Sequence, residues 1–305
     1  MKSVDACINC LITRLLIIVI MHTNKLHVFL SKMTGKVFGG KNNYRLRYYH
    51  QRKRWPSLKN PKDISEILIA SLFSPEAATY ADFVDKVRVR DYIVKKGFPN
   101  ILLKHYGVWE DPADIDFDSL PEKFILKANN GSGGHVVCKD KATLNKEAAI
   151  IKLRANMKEG QEEIEPHYRF IKPLVFCEEL IDTGTEAFPT DYKFTCVNGE
   201  IMDVFVATER STSTRYCTLD LNWEYLPYTK KEYMPASKPE RPNKLDEMVE
   251  IAKTLSKDFK FVRVDLYEYK DHVYFSELTF YPWGAMMYSY TDDAIKLYGE
   301  KYRSK

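Results

Sequence analysis

The sequence predicts an α+β fold built on antiparallel hairpins with helices set among them. Three stretches carry that prediction. Residues 121–139 (PEKFILKANNGSGGHVVCK) read as strand, glycine-rich turn and strand. Residues 191–207 read as two strands joined at Asn198-Gly199, a pair suited to the tight hairpin turn whose central residues both have positive φ. Residues 261–279 alternate with period two and turn back at Lys270-Asp271-His272.

In chain order, the first 60 residues hold twelve Lys/Arg against one acid, Asp5, whereas the other 245 hold 34 Lys/Arg against 41 Asp/Glu. The net charge of +4 therefore hides a basic arm on a mildly acidic body. Such an arm suits either an anionic surface or plain solvation. Its apolar run, residues 15–21, is too short to span a bilayer and lacks a small-x-small cleavage site after it. Three readings stay open for it: an amphipathic membrane-surface helix, a degenerate signal, or an extension upstream of a later start at Met21 or Met33. The expected compartment is the cytoplasm, with contact to the inner membrane face open.

Asp63 is an N-cap candidate with Glu66 three residues on, so a helix is expected to about residue 71. Residues 79–96 read as one further helix, stopped by Gly97-Phe98-Pro99. Residues 101–109 read as strand and connection, and 111–120 as an acidic loop or short helix. A helix over 142–158 follows the glycine turn. Residues 174–181 (LVFCEELI) read as a buried strand with Glu178 and Glu179 near its end. Residues 208–240 read as irregular, and 243–259 as an amphipathic helix. The domain boundaries expected are 1–42 for the basic extension, 43–118 for an N-terminal subdomain, 119–180 for the glycine-loop subdomain and 181–305 for a C-terminal subdomain with the last hairpin.

The glycine turn has two readings on its own. It is an ordinary hairpin turn, or a phosphate site in which bare backbone amides sit beside Lys127. It is not a Walker A loop, because no Gly-Lys-Ser/Thr follows, and it leads into a strand rather than the helix of a dinucleotide fingerprint. The last hairpin is more telling. If its loop has three residues, Asp265 lies opposite Glu277. Two opposed carboxylates repel by up to about 1 kcal/mol, and a cation between them removes that cost in a site of the oxygen-rich kind Mg²⁺ takes.

Other chemistry is thinly represented. Cys7 and Cys10 form a lone CxxC without a second ligand pair, and Cys138, Cys177, Cys196 and Cys217 sit in apolar runs, so all six thiols are expected to be free. No G-x-S-x-G occurs. Asp114-Ile115-Asp116 formally matches a DxD acid pair but lies in an acidic loop. Nucleic acid is not an expected partner, because basic residues cluster only in the leader.

The pieces KFILKANNGSGG, FCEELI, DYKF and RVDLYEYKDHVYFSELTF, in this order after Asp85-Lys86, resemble the ATP-grasp superfamily. LPEKFILKANNGSGG, DYKFTCVNGEI and RVDLYEYKDHVYFSELTFYPWG further resemble its TupA-like branch, named for teichuronopeptide biosynthesis and associated with capsule or cell-wall polysaccharide genes. The resemblance covers roughly residues 43–290. It implies the ATP-grasp fold, in which two α+β subdomains grip ATP between antiparallel sheets, and a carboxylate–amine ligase that forms an amide through an acyl-phosphate. The implied cofactors are ATP and Mg²⁺. The implied substrates are a small carboxylate and an amine, with a uronic-acid glycan or lipid-linked precursor as the carboxylate partner. A glycosyltransferase of the same pathway and a non-catalytic ATP-binding protein are the alternatives.

By the same resemblance, Lys86 and Lys127 would hold phosphates, and Gly131, Ser132, Gly133 and Gly134 would close over them. Glu178, Glu179, Leu180 and Ile181 would border the adenine, and Asp191 the ribose. Lys193 would reach the γ-phosphate or substrate carboxylate, Arg263 would stabilise the acyl-phosphate, and Asp265, Glu277 and Thr279 would hold Mg²⁺. Thr279 departs from the asparagine of many relatives, and Asn130 stands where a histidine is expected.

Overall fold

The computed structural model describes residues 40–131, 133–159, 166–184, 189–208 and 214–304. The expectations for residues 1–39, for Cys7 and Cys10, and for Ser132 fall outside these. The chain divides into two compact units, Met1–Trp55 and Pro56–Lys305. In the first, the described part is helix α1 (Gly40–Arg52) and the three residues after it.

The second unit opens with α2 (Ile64–Leu72), capped as its sequence predicts. The Asp63 carboxylate accepts from Glu66 N at 2.9 Å, and Glu66 accepts from Lys62 N at 2.6 Å. After a turn of helix, α3 (Glu76–Thr79), the single helix expected over 79–96 is instead two short ones, α4 (Ala81–Val84) and α5 (Val89–Lys95). The break has a local cause. Asp85 is extended and its carboxylate accepts from Val87 N and Arg88 N at 2.8 and 3.2 Å, so it caps a new turn rather than continuing the old one.

Two antiparallel sheets form the body. The first has strand order β1-β4-β2-β3, with β1 His105–Trp109, β2 Phe124–Ala128, β3 Val136–Cys138 and β4 Val175–Glu179. Phe124 and Leu126 on β2, with Val175 and Cys177 on β4, face a core completed by Ala149 and Leu153 of α6 (Lys146–Glu159). By strict alternation Ile125, Lys127, Phe176 and Glu178 face the other way.

The second sheet has order β7-β6-β5-β8-β9, comprising β5 Asp191–Val197, β6 Glu200–Thr208, β7 Arg215–Leu219, β8 Phe261–Tyr269 and β9 His272–Thr279. The stretch read as irregular thus contains β7, which pairs Cys217 with Val206. Its alternation is too short to stand out from its Thr- and Tyr-rich surroundings. Helix α7 (Leu245–Ser256) lays Leu245, Met248, Ala252 and Leu255 on β5, β6 and β8. Helix α8 (Asp292–Arg303) packs on α2, and there a Cβ on Gly299 would lie 2.8 Å from the Asp63 Cα, so only glycine allows the crossing.

The Asn198-Gly199 turn is as expected, with φ of 54° and 77°. The last hairpin is not. Its loop has two residues, Lys270 and Asp271, both left-handed, and Tyr269 pairs with His272. Regular pairing from that turn would put Asp265 opposite Ser276. A bulge at Ser276 shifts the register, and Asp265 meets Glu277 after all.

Beside this row lies a buried carboxylate. Asp203 on β6 accepts hydroxyl bonds from Thr195 (3.1 Å), Tyr290 (3.3 Å) and Tyr298. Burial pushes Asp203 up to about 7, with the three hydroxyls opposing part of that shift. Because the folded value lies above the ordinary one of 3.8, the group's contribution to stability is full at low pH and is lost as pH rises through about 7. Relative to an Asp203→Asn variant, the wild-type protein should therefore lose up to about 4 kcal/mol as pH rises from about 4 to about 7, with little further change above that. Denaturant unfolding of both proteins across that range measures the difference.

Candidate active site

The two sheets face each other across a cleft of about 210 Å³. The first sheet and its flanks supply Leu103, Lys127, Gly133, His135, Phe176 and Glu178, and the second supplies Asp191, Lys193, Tyr267 and Glu277. Lys86 and Arg90 enter from the break between α4 and α5 and from α5 itself. A second cavity of about 120 Å³ adjoins it, sharing Lys127, His135 and Glu178 and adding Ile125, Glu179, Leu180, Ile181 and Pro189.

The glycine turn is anchored at its base by Asn129. This side chain is fully buried, accepts from Leu174 N at 2.8 Å and donates to Asp85 (3.0 Å) and the Lys172 carbonyl (3.1 Å). Asp85 thereby ties the turn that carries Lys86 to the turn that carries the glycines. Lys86 N donates to the Asn129 carbonyl at 3.3 Å, and its ammonium reaches the Gly131 carbonyl. Gly133 (φ 79°) is exposed at the mouth of the cleft. Gly134 (φ 68°) is confined, because a Cβ there would run into the Asn156 amide of α6, which donates to the Gly134 carbonyl. Asn130, in the position expected for histidine, points away and donates to the Met157 carbonyl at 2.9 Å.

Lys127 does not reach into its own turn, as the linear sequence suggests. Its ammonium pairs with Glu178, one strand away. Glu178 also lies 3.8 Å from His105 Nε2, but burial, reinforced by Arg90, pulls His105 down to about 4, so this ring is neutral at pH 7 and the contact is no ion pair. Arg90 donates to the Leu103 carbonyl at 2.8 Å.

The second sheet arranges its charges in rows across β5, β8 and β9. Lys193, Asp265 and Glu277 pair in register, and Thr195, Arg263 and Thr279 form the next row. Asp265 is fully buried. Arg263 donates to both of its oxygens at 2.7 Å, and Lys193 donates to one of them. Lys193 also holds Asp191 at 2.5 Å. Arg263 Nη2 reaches Thr279 at 3.2 Å and Glu277 at 3.5 Å, and the Thr279 hydroxyl donates to Glu277 at 3.1 Å. Burial works against the Arg263 charge, yet Asp265 and Glu277 outweigh it and hold the guanidinium above its ordinary value. Confinement likewise opposes the Glu277 charge, but Lys86, Lys193 and Arg263 keep its carboxyl below the usual range.

Among the described residues, two atoms of the cleft lining are buried without a hydrogen-bond partner: Asp191 Oδ1 and His135 Nδ1. A buried acceptor left unmatched costs roughly 1–3 kcal/mol, and both residues line the cleft. Burial, with Lys127 and Lys86 nearby, pulls His135 down to about 4.

Of the residues singled out from sequence, Lys86, Lys127, Gly133, Glu178, Asp191, Lys193 and Glu277 line the main cleft, and Glu179, Leu180 and Ile181 line the adjoining cavity. Gly131 meets Lys86, Gly134 lies at the loop's exit, and Arg263, Asp265 and Thr279 form the layer behind Glu277. Arg90, His135, Tyr267, Phe275 and Ser276 also line the cleft and were not foreseen. His135 had a signal, since it directly follows the glycines. The bulge puts Phe275 opposite Leu266 and Glu277 opposite Asp265, with Ser276 as the extra residue between them, and no local pattern announces that.

The chain belongs to the TupA-like ATPgrasp family, whose sequence pattern matches residues 27–303. The expected ATP-grasp fold, two antiparallel sheets with helices, is the fold observed. Solved structures similar to it include the D-alanine–D-alanine ligase of Bacillus anthracis (14% identity, TM-score 0.44, covering 75% of this chain and 66% of that one). The enzyme of the same name from Helicobacter pylori is another (16%, 0.42, 79% and 69%). A third is the ATP-grasp ligase PsnB complexed with a minimal precursor (14%, 0.37, 71% and 59%). No curated protein matches the sequence.

Among the described residues, no group of three or more His, Cys, Asp or Glu converges as a ready metal site. The donor set opposite Lys86 nevertheless suits a hard cation: Asp265 and Glu277 stand in register with the Thr279 hydroxyl beside them, all oxygen donors, and Glu277 is a third exposed to the cleft. Asp265 is at present neutralised by Arg263 and Lys193. Asp265→Asn should leave two buried cations short of a counter-charge and destabilise the fold by about 3–5 kcal/mol. Urea unfolding checks this, with an unchanged midpoint as the contrary result.

Proposed function

We propose that this protein is an ATP- and Mg²⁺-dependent carboxylate–amine ligase. The observation that carries the reading is the convergence of Lys86, Lys127 and Lys193 with Glu277 on one cleft whose mouth is a glycine turn. Three ammonium groups in one partly closed space call for a polyanion, and the bare amides of Gly133 and Gly134 add donors suited to phosphate. The adjoining cavity, with apolar Ile125, Leu180, Ile181 and Pro189, suits a flat base. Asp191 Oδ1, buried and unpartnered, suits a ribose hydroxyl as donor.

In this reading a substrate carboxylate oxygen attacks the γ-phosphorus. The new O–P bond forms as the bond to the ADP oxygen breaks. An amine then attacks the acyl carbon, phosphate leaves with the bonding electrons, and the amine's extra proton passes to solvent or phosphate. The chain supplies position and charge and no covalent nucleophile. Lys86 and Lys127 hold the nucleotide's phosphates. Lys193 faces the transferring group from the opposite sheet. Arg263 acts from behind, fixing Asp265 and Glu277. Mg²⁺ would be held by Glu277 and Asp265 and would supply charge neutralisation at the phosphates.

For the carboxylate substrate, the TupA-like resemblance alone supports a uronic-acid glycan or its lipid-linked precursor. Asp114 and Asp116, the formal acid pair of the glycosyltransferase alternative, are exposed and line neither cavity.

The decisive test is ADP release on adding candidate carboxylates and amines, with hydroxylamine to trap the acyl-phosphate as a hydroxamate and mass spectrometry of the products. Lys127→Ala should lower ATP turnover by about 100-fold or more, given that charge-assisted contacts contribute about 1.5–3 kcal/mol each and that its loss also frees Glu178 to repel the phosphates. The variant's circular dichroism should be unchanged. Undiminished turnover would sink the reading. Asp191→Asn should raise the KM for ATP about tenfold with a smaller change in kcat, as expected for a contact made in ground and transition states alike.

A further inference from the structure

Helix α1 presents one stripe to solvent. Lys41, Arg45, Tyr49 and Lys53 follow one another at intervals of four, the spacing that stacks side chains along a single helix face, and all four are exposed. The chain then doubles back. Lys53 adopts a left-handed φ of 56° and donates its N–H to the Tyr49 carbonyl at 2.7 Å, which ends the helix and swings Trp55 onto the stripe. Trp55 stacks on Tyr49 with ring centroids 4.6 Å apart, and the Arg45 guanidinium lies 6.0 Å from the indole centroid. The result is an indole 57% exposed and a phenol 38% exposed, set among cations. No acidic residue occurs anywhere from 40 to 60. Trp55 and Tyr49 are thus not two scattered apolar residues but a stacked pair held on the surface beside Arg45.

We propose that this stripe docks the protein on an anionic lipid surface. The charge sign demands an anion. The aromatic pair selects a bilayer, because Trp and Tyr rings settle at the headgroup level with the apolar body inward and the polar edge in water, while Lys and Arg beside them meet the lipid phosphates. A single-stranded nucleic acid is the competing polyanion, since it too is bound by cations and aromatics. The geometry disfavours it: one face of Trp55 is already covered by Tyr49, leaving no slot between rings for a base. The sequence just upstream also contains the apolar run 15–21, which a membrane partner accounts for and a nucleic acid does not. Among the described residues no helix is long and apolar enough to cross a membrane, so the attachment proposed is to the surface.

The test is flotation of the full-length protein with vesicles of neutral phosphatidylcholine, with and without about a third phosphatidylglycerol. The protein should float with the anionic vesicles only, and should be released as salt is raised. Replacing Lys41, Arg45 and Lys53 together by Gln should weaken binding roughly a hundredfold, and Trp55→Ser roughly tenfold, with thermal melting of both variants close to wild type. Trp55 quenching by bromine-labelled acyl chains, read as the difference between wild type and Trp55→Ser, should accompany binding. Equal or absent binding to the two vesicle types, a triple variant that binds as well as wild type, or release of the protein from vesicles by a short single-stranded RNA at low stoichiometry would each overturn the proposal.

Discussion

The buried carboxylate of Asp265 is the constraint around which the second sheet is arranged. A charge removed from water must be matched at short range, and here Arg263 closes on both oxygens while Lys193 takes one of them from the neighbouring strand. Each cation is in turn shared outward, Lys193 to Asp191 and Arg263 to Glu277 and Thr279. The result is a charge lattice across β5, β8 and β9 that leaves its outer members, Asp191, Lys193 and Glu277, on the wall of the cleft. A shift of β9 by one residue would put Ser276 opposite Asp265 and dismantle the lattice, so the bulge is as much a part of the site as any side chain.

The first sheet answers with a different construction. Its core face is apolar throughout, and the opposite face carries Lys127 and Glu178 as a bonded pair. Its glycine turn is not free at the base. Asn129 locks it to Asp85 and to the segment before β4, so that Lys86 and Lys127 arrive at the cleft from separate elements with a fixed relation. At Gly133 the turn is exposed, with nothing within 4 Å of its Cβ position.

Much of this was legible in the linear sequence for a simple reason: strands, tight turns and caps are decided by neighbours a few residues apart. β5 came out with its boundaries, and Asp63 capped its helix as its spacing to Glu66 suggested. The failures share the opposite cause. The periodicity of residues 79–96 is helical on either side of Asp85, and only that carboxylate's bonds to Val87, Arg88 and Asn129 show why the helix must stop there. The pairing of Asp265 with Glu277 followed from an assumed three-residue loop, whereas the chain makes a two-residue turn and restores the pairing with a bulge.

By itself the sequence determined the inventory: a lysine ending a strand before glycines, two carboxylates on a late hairpin, an aspartate opening β5, and their order along the chain. Tertiary structure alone decided which groups face one another. It gave Lys127 to Glu178 rather than to its own turn, sealed Asp265 behind Arg263, left Asp191 Oδ1 without a partner, and brought in Arg90 and His135. The reason is physical. Alternation and capping act over a few residues, but register between strands, burial and the pairing of buried charges depend on atoms tens to hundreds of residues apart.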